Sequence, residues 1–259
     1  MLRADLLRYL ILWYYGGFYA DLDVYPARTI KGCPSLEHIF PHSDFPPPAP
    51  NVSFVVGVEL DEPYFSRRLV NEWNWSRRYG FIQWTMYAPR RFSPILRMVI
   101  VRVLAHIKRH YEIHGFHRRF VTLSGKLAIG VNSIFEITGP TVVTDSILDT
   151  LSSTLPPSHP LIAASVEADK QWGDLPYPRV SWAPFHHLSE PVWVDATEAR
   201  EGQAEELGGL GILPINVWGN GQSHSGAENS FSKQACINHH FKGSWKKWWW
   251  EKWIHGKNS

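Results

Sequence analysis

The glycine pair Gly16-Gly17 separates two segments whose apolar residues follow different periods. Before the pair, apolar residues recur at i, i+4 and i+7, which predicts an amphipathic helix with a stripe of Leu6, Leu10 and Trp13. The glycines predict the end of that helix, because glycine adopts the left-handed conformation of a helix C-cap without strain. Phe18–Val24, after the pair, is predicted to be a short strand. A helix that leads directly into a strand indicates an α/β fold.

Apolar runs and cap residues predict further elements along the chain. Phe54–Val58 is typical of a buried strand. Ser93-Pro94 has the form of a helix start, and the helix is predicted to continue to about His110. Thr144 is the predicted cap of a shorter helix over Asp145–Leu151.

Length and charge bound what the chain can be. Its 259 residues suit one domain over 1–259, in which the Glu- and Gly-rich residues 195–211 are expected to form a surface insertion. The 26 Lys and Arg residues nearly balance the 24 Asp and Glu residues, so the chain has no general electrostatic reason to bind nucleic acid. Its longest apolar stretch, Tyr9–Ala20, is shorter than the ~20 residues of a membrane span. We therefore expect neither a secretory signal nor a membrane anchor within this sequence.

The two cysteines, Cys33 and Cys236, leave the redox state open. Two are too few for a disulfide scaffold, and both a single bridge and two free thiols are compatible with the sequence. Only the geometry of the fold decides between these alternatives.

Asp21 and Asp23 are the candidate metal ligands and catalytic residues. Alternate residues of a strand share a face, so Tyr19, Asp21 and Asp23 are predicted to point one way, with Ala20 and Leu22 directed into the sheet. Two carboxylates in this arrangement supply the hard oxygen ligands that Mg²⁺ and Mn²⁺ prefer, above all beside a diphosphate. The competing interpretation is a solvated turn, because aspartate is common in turns.

Asp5 and Arg8 lie one helical turn apart. Charge-assisted hydrogen bonds from such a pair suit the hydroxyls of a ribose or a sugar. The competing interpretation is an exposed ion pair that stabilises the helix by about 0.2–0.5 kcal/mol. The Gly16-Gly17 pair also lets a ligand approach the backbone closely.

Several motifs follow one another in order along the chain. They are Arg3–Tyr9, Gly16–Asp23, Phe81–Thr85 with Ser93–Leu96, Ile137–Pro140 with Thr144-Asp145, Leu213–Ile215, and His239–Lys246. Together they resemble the Asp-x-Asp sugar-binding region and the later motifs of glycosyltransferase family 32. The likeness is greatest to the fungal initiation-specific α-1,6-mannosyltransferases of the Golgi in that family.

The resemblance implies an α/β fold of the GT-A type, which is a Rossmann-like nucleotide-sugar transferase fold. It implies retaining transfer of mannose from GDP-mannose to a mannose-containing N-glycan acceptor, with an α-1,6 linkage. Mn²⁺ or Mg²⁺ would lie between the diphosphate and the motif, with Asp23 as a direct ligand and Asp21 on the ribose or on the metal through water. The donor-binding residues would further include Asp5, Arg8, Gly16, Gly17 and Tyr19.

The resemblance also assigns a role to the C-terminal motif. His240, Ser244, Trp245 and Lys246 would close over the diphosphate, with His240 as a further metal ligand. A hydroxyl, an indole N–H and an ammonium group are all hydrogen-bond donors suited to phosphate oxygens. The competing interpretation of this Trp- and Lys-rich segment is an interfacial tail at a membrane surface.

Four residues are candidates for the acceptor side. Gln83 and Trp84 suit either a sugar platform or core packing. Thr138 and Asp145 suit either an acceptor contact or a turn followed by a helix cap.

Family members carry a membrane anchor and a nucleotide-binding βαβ half before the Asp-x-Asp motif. We therefore expect this chain to represent an N-terminally truncated form of the fold. The resemblance implies a Golgi lumenal, membrane-associated protein, with a Golgi transferase complex as a candidate partner. Two alternatives stay open, namely a non-catalytic paralogue or subunit of a Golgi mannosyltransferase complex, and a sphingolipid mannosyltransferase.

Overall fold

The computed structural model describes residues 2–41, 49–73, 75–114 and 136–240. In chain order, the helices and strands are α1 (Leu2–Tyr15), β1 (Gly17–Ala20), β2 (Val24–Pro26), β3 (Phe54–Asp61), α2 (Arg67–Glu72), β4 (Tyr79–Phe81), β5 (Thr85–Ala88), α3 (Pro94–His114), α4 (Pro140–Thr154), α5 (Pro160–Gln171), β6 (Val192–Val194), α6 (Ala204–Leu207), β7 (Leu210–Leu213), α7 (Ile215–Trp218) and β8 (Ile237–His239). Helices and strands alternate over most of this length. The predicted α/β class is confirmed.

A mixed six-stranded sheet forms the centre of the fold. Its strand order is β1-β5-β3-β7-β6, and β4 pairs with β3 beside that path. Among the pairings of the described residues, β3–β7 is parallel and the others in this sheet are antiparallel. Since β5 runs antiparallel to both β1 and β3, the carboxyl ends of β1 and β3 lie at the same edge of the sheet.

Strand β3 is the central element of this sheet. The predicted strand Phe54–Val58 is confirmed and extends to Asp61, and only Glu59 along it keeps a partly accessible side chain. Such a continuous apolar run is typical of a strand with both faces covered. The strand therefore carries Glu59 and Asp61 from the core to the carboxyl edge of the sheet.

The buried face of helix α1 differs from the face that the sequence predicts to be buried. Its buried residues are Asp5, Arg8, Tyr9 and Leu12, whereas Leu10 of the predicted apolar stripe is 39% exposed. The buried set still follows the helical period, but it includes a charged pair. The prediction is wrong for Leu10, whereas Leu6 and Trp13 pack partly buried against the core as predicted. The charged pair is buried because hydrogen bonds and ion pairs from neighbouring elements satisfy it inside the protein.

The glycine pair after α1 behaves as predicted. The Gly16 backbone N–H donates to the Leu12 carbonyl over 2.9 Å, which closes the last turn of the helix. Gly16 and Gly17 have φ angles of 70° and 87°, in the region that side chains disfavour. The helix therefore ends where the sequence indicates, and β1 starts at once.

Helix α3 starts at Pro94 as predicted and continues to His114, beyond the expected end near His110. Helix α4 begins at Pro140 with Gly139 as its N-cap, so the prediction of a helix capped by Thr144 is wrong. The Thr144 hydroxyl lies inside the helix, donates to the Pro140 carbonyl (2.9 Å) and accepts from the Phe81 backbone N–H (3.0 Å). Thr144 therefore links α4 to β4 through these hydrogen bonds and is not a helix cap.

The surface insertion expected over 195–211 is wrong for its C-terminal part. Residues 200–206 are largely exposed, but 207–211 are buried. Leu210 pairs with Phe54 in the parallel β3–β7 ladder, at the centre of the large sheet. Three glycines near the strand obscured this apolar segment, and one of them, Gly209, packs so closely that an added Cβ would lie 1.9 Å from the Asn51 carbonyl oxygen.

A second, two-stranded sheet joins a strand near the start of the chain to the last described strand. β2 pairs antiparallel with β8, with Tyr25 opposite Asn238. A disulfide links Cys33 to Cys236 across a sequence separation of 203, which settles the open redox state in favour of the bridge. The bridge and the strand pair hold the C-terminal segment against the residues that follow the Asp-x-Asp motif.

No helix among the described residues combines the length and the apolar character that a membrane crossing requires.

Candidate functional site

The Asp-x-Asp motif forms the turn between the two sheets. β1 ends at Ala20, and the Val24 backbone N–H donates to the Asp21 carbonyl over 3.1 Å. Leu22 at the tip is fully exposed, and Ala20 is exposed as well, so neither points into a sheet. The single predicted strand over Phe18–Val24 is therefore wrong, because the chain leaves the large sheet at Ala20 and enters the small one at Val24.

Two side chains hold Asp21 in place. The Tyr19 hydroxyl donates to Asp21 Oδ1 over 2.5 Å, and Arg8 Nη1 lies 3.3 Å from the same oxygen. The Asp21 backbone N–H donates to the Trp84 carbonyl over 2.9 Å. The side chains of Asp21 and Asp23 keep 28% and 30% of their surface exposed. Both carboxylates are thus fixed by the fold and accessible to a ligand.

Arg8 is the centre of a polar network beneath the turn. It is 8% exposed, and its Nη2 lies 2.9 Å from Asp5 Oδ1. Nη1 donates to the Gln83 carbonyl over 3.1 Å, and the guanidinium lies 5.0 Å from the centre of the Tyr19 ring. The exposed helix pair that the sequence left open is excluded, because the guanidinium joins α1, β1 and the β4–β5 loop inside the protein.

Asp5 and Tyr9 extend this network into the core. Burial raises the pKa of Asp5, against the opposing charge of Arg8, and the Thr138 hydroxyl donates to its Oδ2 over 2.8 Å. The Tyr9 hydroxyl lies 2.7 Å from the Thr138 carbonyl and 2.5 Å from Gln83 Oε1. The network therefore braces the Asp-x-Asp turn from below.

Replacing Arg8 with alanine is expected to destabilise the fold by about 3–5 kcal/mol, because the buried Asp5 carboxylate would lose its cationic partner. Arg68→Ala is the matched control, since Arg68 pairs with Glu72 on an exposed helix face. That pair is worth less than about 1 kcal/mol. Chemical denaturation of both variants measures the difference, and equal losses would contradict the assignment of Arg8 as the central brace.

The four candidate acceptor residues have different surroundings. Trp84 is 6% exposed, its ring packs 4.7 Å from that of His239, and it offers no open face to a sugar. Thr138 is fully buried, and Asp145 forms ion pairs with Arg77 and Arg102 at the protein surface. The core-packing interpretation holds for Trp84, and Thr138 positions Asp5. The predicted acceptor contacts of Gln83 and Asp145 stay predictions.

Strand β8 brings a histidine to the motif. His239 lies opposite Val24 in the small sheet, and its Nε2 is 3.3 Å from Asp23 Oδ1. Burial lowers the pKa of His239, although the charges of Asp23 and Asp21 oppose this shift. The ring is therefore neutral at neutral pH, which is the form that binds metals.

The neighbouring His240 was the predicted metal ligand. Its ring stacks on Tyr25 with 4.3 Å between centroids, and its backbone N–H donates to the Asp23 carbonyl over 3.0 Å. The geometry thus favours His239 over His240 as the imidazole next to the carboxylates. The sequence signal was present, because one of two consecutive histidines on a strand must face away from the other.

Glu59 lies close to the same site and was missed. Trp84 Nε1 donates to Glu59 Oε1 over 3.0 Å. Burial raises the pKa of Glu59 to about 7, the Trp84 hydrogen bond opposes this shift, and the Asp21 charge adds to it. Its side chain nevertheless keeps some accessible surface. A lone glutamate within an apolar strand run was the available signal.

Asp61, two residues further along β3, has a structural role. Its two carboxylate oxygens lie 2.8 Å from His186 Nδ1 and 2.8 Å from the His187 backbone nitrogen. The three side chains are of metal-binding type and lie close together. Because both oxygens are already used, we assign this group to fixing the 186–187 segment.

The donor set at the Asp-x-Asp turn suits a hard divalent cation. Two accessible carboxylates and one neutral imidazole lie on the turn and on the strand beside it. Mn²⁺ accepts both oxygen and nitrogen ligands, whereas Mg²⁺ prefers oxygen. The residue types at the turn therefore fit the metal that the resemblance implies. Among the described residues, Asp61, His186 and His187 are the group whose three ligand atoms all lie within 4.8 Å of one another, so Asp21, Asp23 and His239 would have to move closer together around an ion. Ser244, Trp245 and Lys246 lie outside the described residues.

The part of the chain that carries the carboxylate pair and the buried arginine also matches a family model. Residues 1–46, which include α1, the Asp-x-Asp turn and β2, match the family model described as a glycosyltransferase sugar-binding region containing a DXD motif. The N-terminal part of the candidate site, which contains Arg8, Asp21 and Asp23, is therefore similar in sequence to this region.

Whole-chain comparisons are more specific. The chain is 27% identical over 248 residues to the initiation-specific alpha-1,6-mannosyltransferase of Schizosaccharomyces pombe, covering 95% of this chain and 47% of that protein. The Candida albicans protein of the same name is also 27% identical, with 95% of this chain and 54% of that protein covered. The predicted resemblance is confirmed, at modest identity. The chain spans about half the length of these two relatives.

One solved structure, the PaToxG glycosyltransferase, matches 66% of this chain and 41% of its own at 15% identity, with a TM-score of 0.34. A likeness this weak defines neither the fold nor the function. The GT-A type stays a prediction.

Proposed function

We propose that this chain is the catalytic part of a metal-dependent mannosyltransferase. It transfers mannose from GDP-mannose to a mannose-containing N-glycan, with retention and an α-1,6 linkage. The observation that carries the proposal is the accessible Asp21–Asp23 pair, which the Arg8 network fixes from below and His239 flanks. The matches to named α-1,6-mannosyltransferases over 95% of the chain support the same activity.

Asp23, with Asp21 and His239 beside it, would hold the divalent ion. Bound there, Mn²⁺ or Mg²⁺ supplies positive charge that stabilises the departing diphosphate. Asp21 is oriented by Tyr19 and Arg8 before any ligand arrives. Such preorganisation reduces the reorganisation needed when charge develops in the transition state.

The residues of the site also determine the geometry of transfer. A retaining reaction without a protein nucleophile requires the acceptor hydroxyl to attack on the face that the diphosphate leaves. The protein then contributes positioning of donor and acceptor, which is worth several kcal/mol, about 7–11 in well-oriented systems. The fixed turn and the buried polar network are suited to that task.

An oxidising compartment is part of the proposal. The Cys33–Cys236 disulfide supports a lumenal location such as the Golgi, because stable disulfides are rare in the cytosol. A Golgi transferase complex is the corresponding candidate partner.

Calorimetric titration with GDP-mannose tests the donor site directly. We expect binding in the presence of Mn²⁺ and none after chelation, because the diphosphate and the two carboxylates repel each other without a cation between them. UDP-glucose is the control ligand and is expected not to bind. Equal binding of GDP-mannose with and without metal would contradict the proposed site, and binding without turnover would favour the non-catalytic paralogue.

A further inference from the structure

We infer that Glu59 is an acceptor-binding residue, which accepts a hydrogen bond from a hydroxyl of the incoming glycan. The inference rests on the proposed function and specifies how the same site recognises its second substrate. Glu59 lies on β3, and the Asp-x-Asp turn follows β1, at the common carboxyl edge of the large sheet.

A continuous series of contacts connects Glu59 to the metal-binding carboxylates. The Trp84 indole donates to Glu59 Oε1 over 3.0 Å, and the Trp84 ring packs 4.7 Å from that of His239. His239 in turn lies 3.3 Å from Asp23. The indole thus fixes one carboxylate oxygen of Glu59 and the direction of the other.

The second oxygen, Oε2, has no hydrogen-bond partner among the described residues, and the side chain keeps accessible surface. Carboxylates are common at protein surfaces and need no functional explanation there. Glu59 is different, because it lies on a strand whose other residues are all buried. An accessible acceptor atom at such a place is available to a ligand hydroxyl.

The charge of the site favours a neutral hydroxyl over a phosphate. The negative charge of Asp21 acts on Glu59, so the two carboxyl groups are close enough to interact. An ionised Glu59 would therefore add a negative charge that repels the donor diphosphate. The residues that fix the Asp-x-Asp turn from below, Arg8 and Asp5, belong to α1, whereas Glu59 belongs to β3. Glu59 therefore suits the sugar that has no charge and arrives separately.

Two pairs of aromatic rings contain residues that are exposed to solvent. We call Tyr64, Trp73, Trp75 and Trp172 the aromatic shelf; Tyr64, Trp73 and Trp172 are 54%, 44% and 58% exposed. Tyr64 stacks on Trp172 at 4.7 Å, and Trp73 lies 5.0 Å from Trp75. Sugars stack on such rings through their apolar faces.

The segment 222–225 connects this shelf to Glu59. Gln222 Nε2 donates to the Glu59 carbonyl over 2.6 Å, and the His224 ring lies 4.7 Å from that of Trp75. The Trp73–Trp75 pair is therefore the part of the shelf that a glycan bound at Glu59 is expected to contact. This arrangement supports the acceptor over the donor as the ligand of Glu59.

The test is Glu59→Gln, which keeps the size of the side chain and an oxygen for the Trp84 indole. At pH 8, where the Glu59 carboxyl with its pKa of about 7 is mostly ionised, and with Mn²⁺, GDP-mannose and a free high-mannose N-glycan, we expect kcat/KM for the glycan to fall about 10- to 100-fold, the effect of one charge-assisted hydrogen bond. The Kd for GDP-mannose is expected to stay within about twofold of the unsubstituted chain, since Glu59 does not contact the donor. Glu205→Gln on the exposed α6 is the matched control and is expected to change neither quantity.

Direct glycan binding separates this inference from the proposed function. Saturation-transfer NMR with the high-mannose N-glycan is expected to show binding to the unsubstituted chain and weaker binding to Glu59→Gln. If the unsubstituted chain fails to bind GDP-mannose, the proposed function fails, and glycan binding alone then decides the role of Glu59. Unchanged glycan binding and kcat/KM in a folded variant, or a loss of donor affinity as large as the loss of transfer, would overturn the inference.

Folding of the variant is checked by its melting temperature. Burial raises the pKa of Glu59 to about 7, so its contribution to stability is present below pH 4.5 and is lost as the pH rises through 7. Glutamine has no such loss. Glu59→Gln is therefore expected to melt at the same temperature as the unsubstituted chain or higher at pH 8.

Discussion

Replacing Asp23 with alanine is expected to lower the rate of sugar transfer at least about 1,000-fold. The Asp23 side chain keeps 30% of its surface exposed and lies next to the imidazole of His239. A cation can therefore reach the carboxylate and bind it directly. A bound metal contributes several kcal/mol to the stabilisation of a developing negative charge, and each 1.36 kcal/mol is a tenfold change in rate. Steady-state transfer from GDP-mannose with saturating Mn²⁺ measures the effect.

The matched control is Asp174→Ala, because Asp174 is an exposed aspartate outside the site. We expect transfer by this variant to stay within about twofold of the unsubstituted chain, as is usual for surface substitutions. Calorimetry adds a second readout, since Asp23→Ala is expected to lose metal-dependent donor binding as well. Turnover of a folded Asp23→Ala variant at the unsubstituted rate would contradict the metal-site assignment.

Removing the disulfide is expected to cost about 4 kcal/mol of folding stability. The bridge closes a loop with a sequence separation of 203, and long loops gain the most from a crosslink in the chain-entropy account. The loss of the bridge also removes one restraint on β8. The pairing of β8 with β2 places His239 beside Asp23. We therefore expect Cys33→Ser/Cys236→Ser to bind Mn²⁺ and GDP-mannose more weakly than the unsubstituted chain.

Urea denaturation and donor titration of the double variant test both parts of this expectation. A reductant added to the unsubstituted chain is the corresponding control, because it should reproduce the effect without a sequence change. If the double variant keeps full stability and donor affinity, the bridge has no role in holding the site together.

The sequence predicted the elements that local patterns define. The helix end at Gly16-Gly17, the buried strand at Phe54 and the helix start at Pro94 all depend on residues within one or two turns of each other. Backbone preferences of Gly and Pro and a continuous apolar run decide these features locally. No long-range contact was needed to predict them.

The errors arose where distant residues override a local pattern. Leu10 fits the apolar stripe of α1, but Thr138 and Gln83 make it favourable to bury Asp5 and Arg8 instead. Leu22 fits an alternating strand, but the chain leaves the large sheet after Ala20 because the next strand, β2, pairs with β8. Such tertiary contacts outweigh propensity, which is a weak prior for a short segment.

The sequence predicted the Asp-x-Asp carboxylates and the residues next to them on α1 and β1, but not the residues that other strands bring to the site. Asp21 and Asp23 were identified from their spacing and from the resemblance. Glu59 was missed because an isolated glutamate belongs to no motif, and His239 was missed because the resemblance assigned the metal-binding role to the adjacent His240. Their proximity to Asp23 follows only from strand order, which places β3 and β8 at the same edge as the Asp-x-Asp turn.

The pairing of β2 with β8 also determines when a growing chain can become competent. Ribosomes release residues from the N-terminus onward, so Asp21 and Asp23 leave the tunnel long before His239 does. Contacts of such high sequence separation form slowly, because loop closure must precede them. The Asp-x-Asp turn and its Arg8 network are therefore synthesised early, whereas the contact between Asp23 and His239 is among the last to form. Under the proposed function, the ability to bind a nucleotide sugar then marks a molecule that has finished folding.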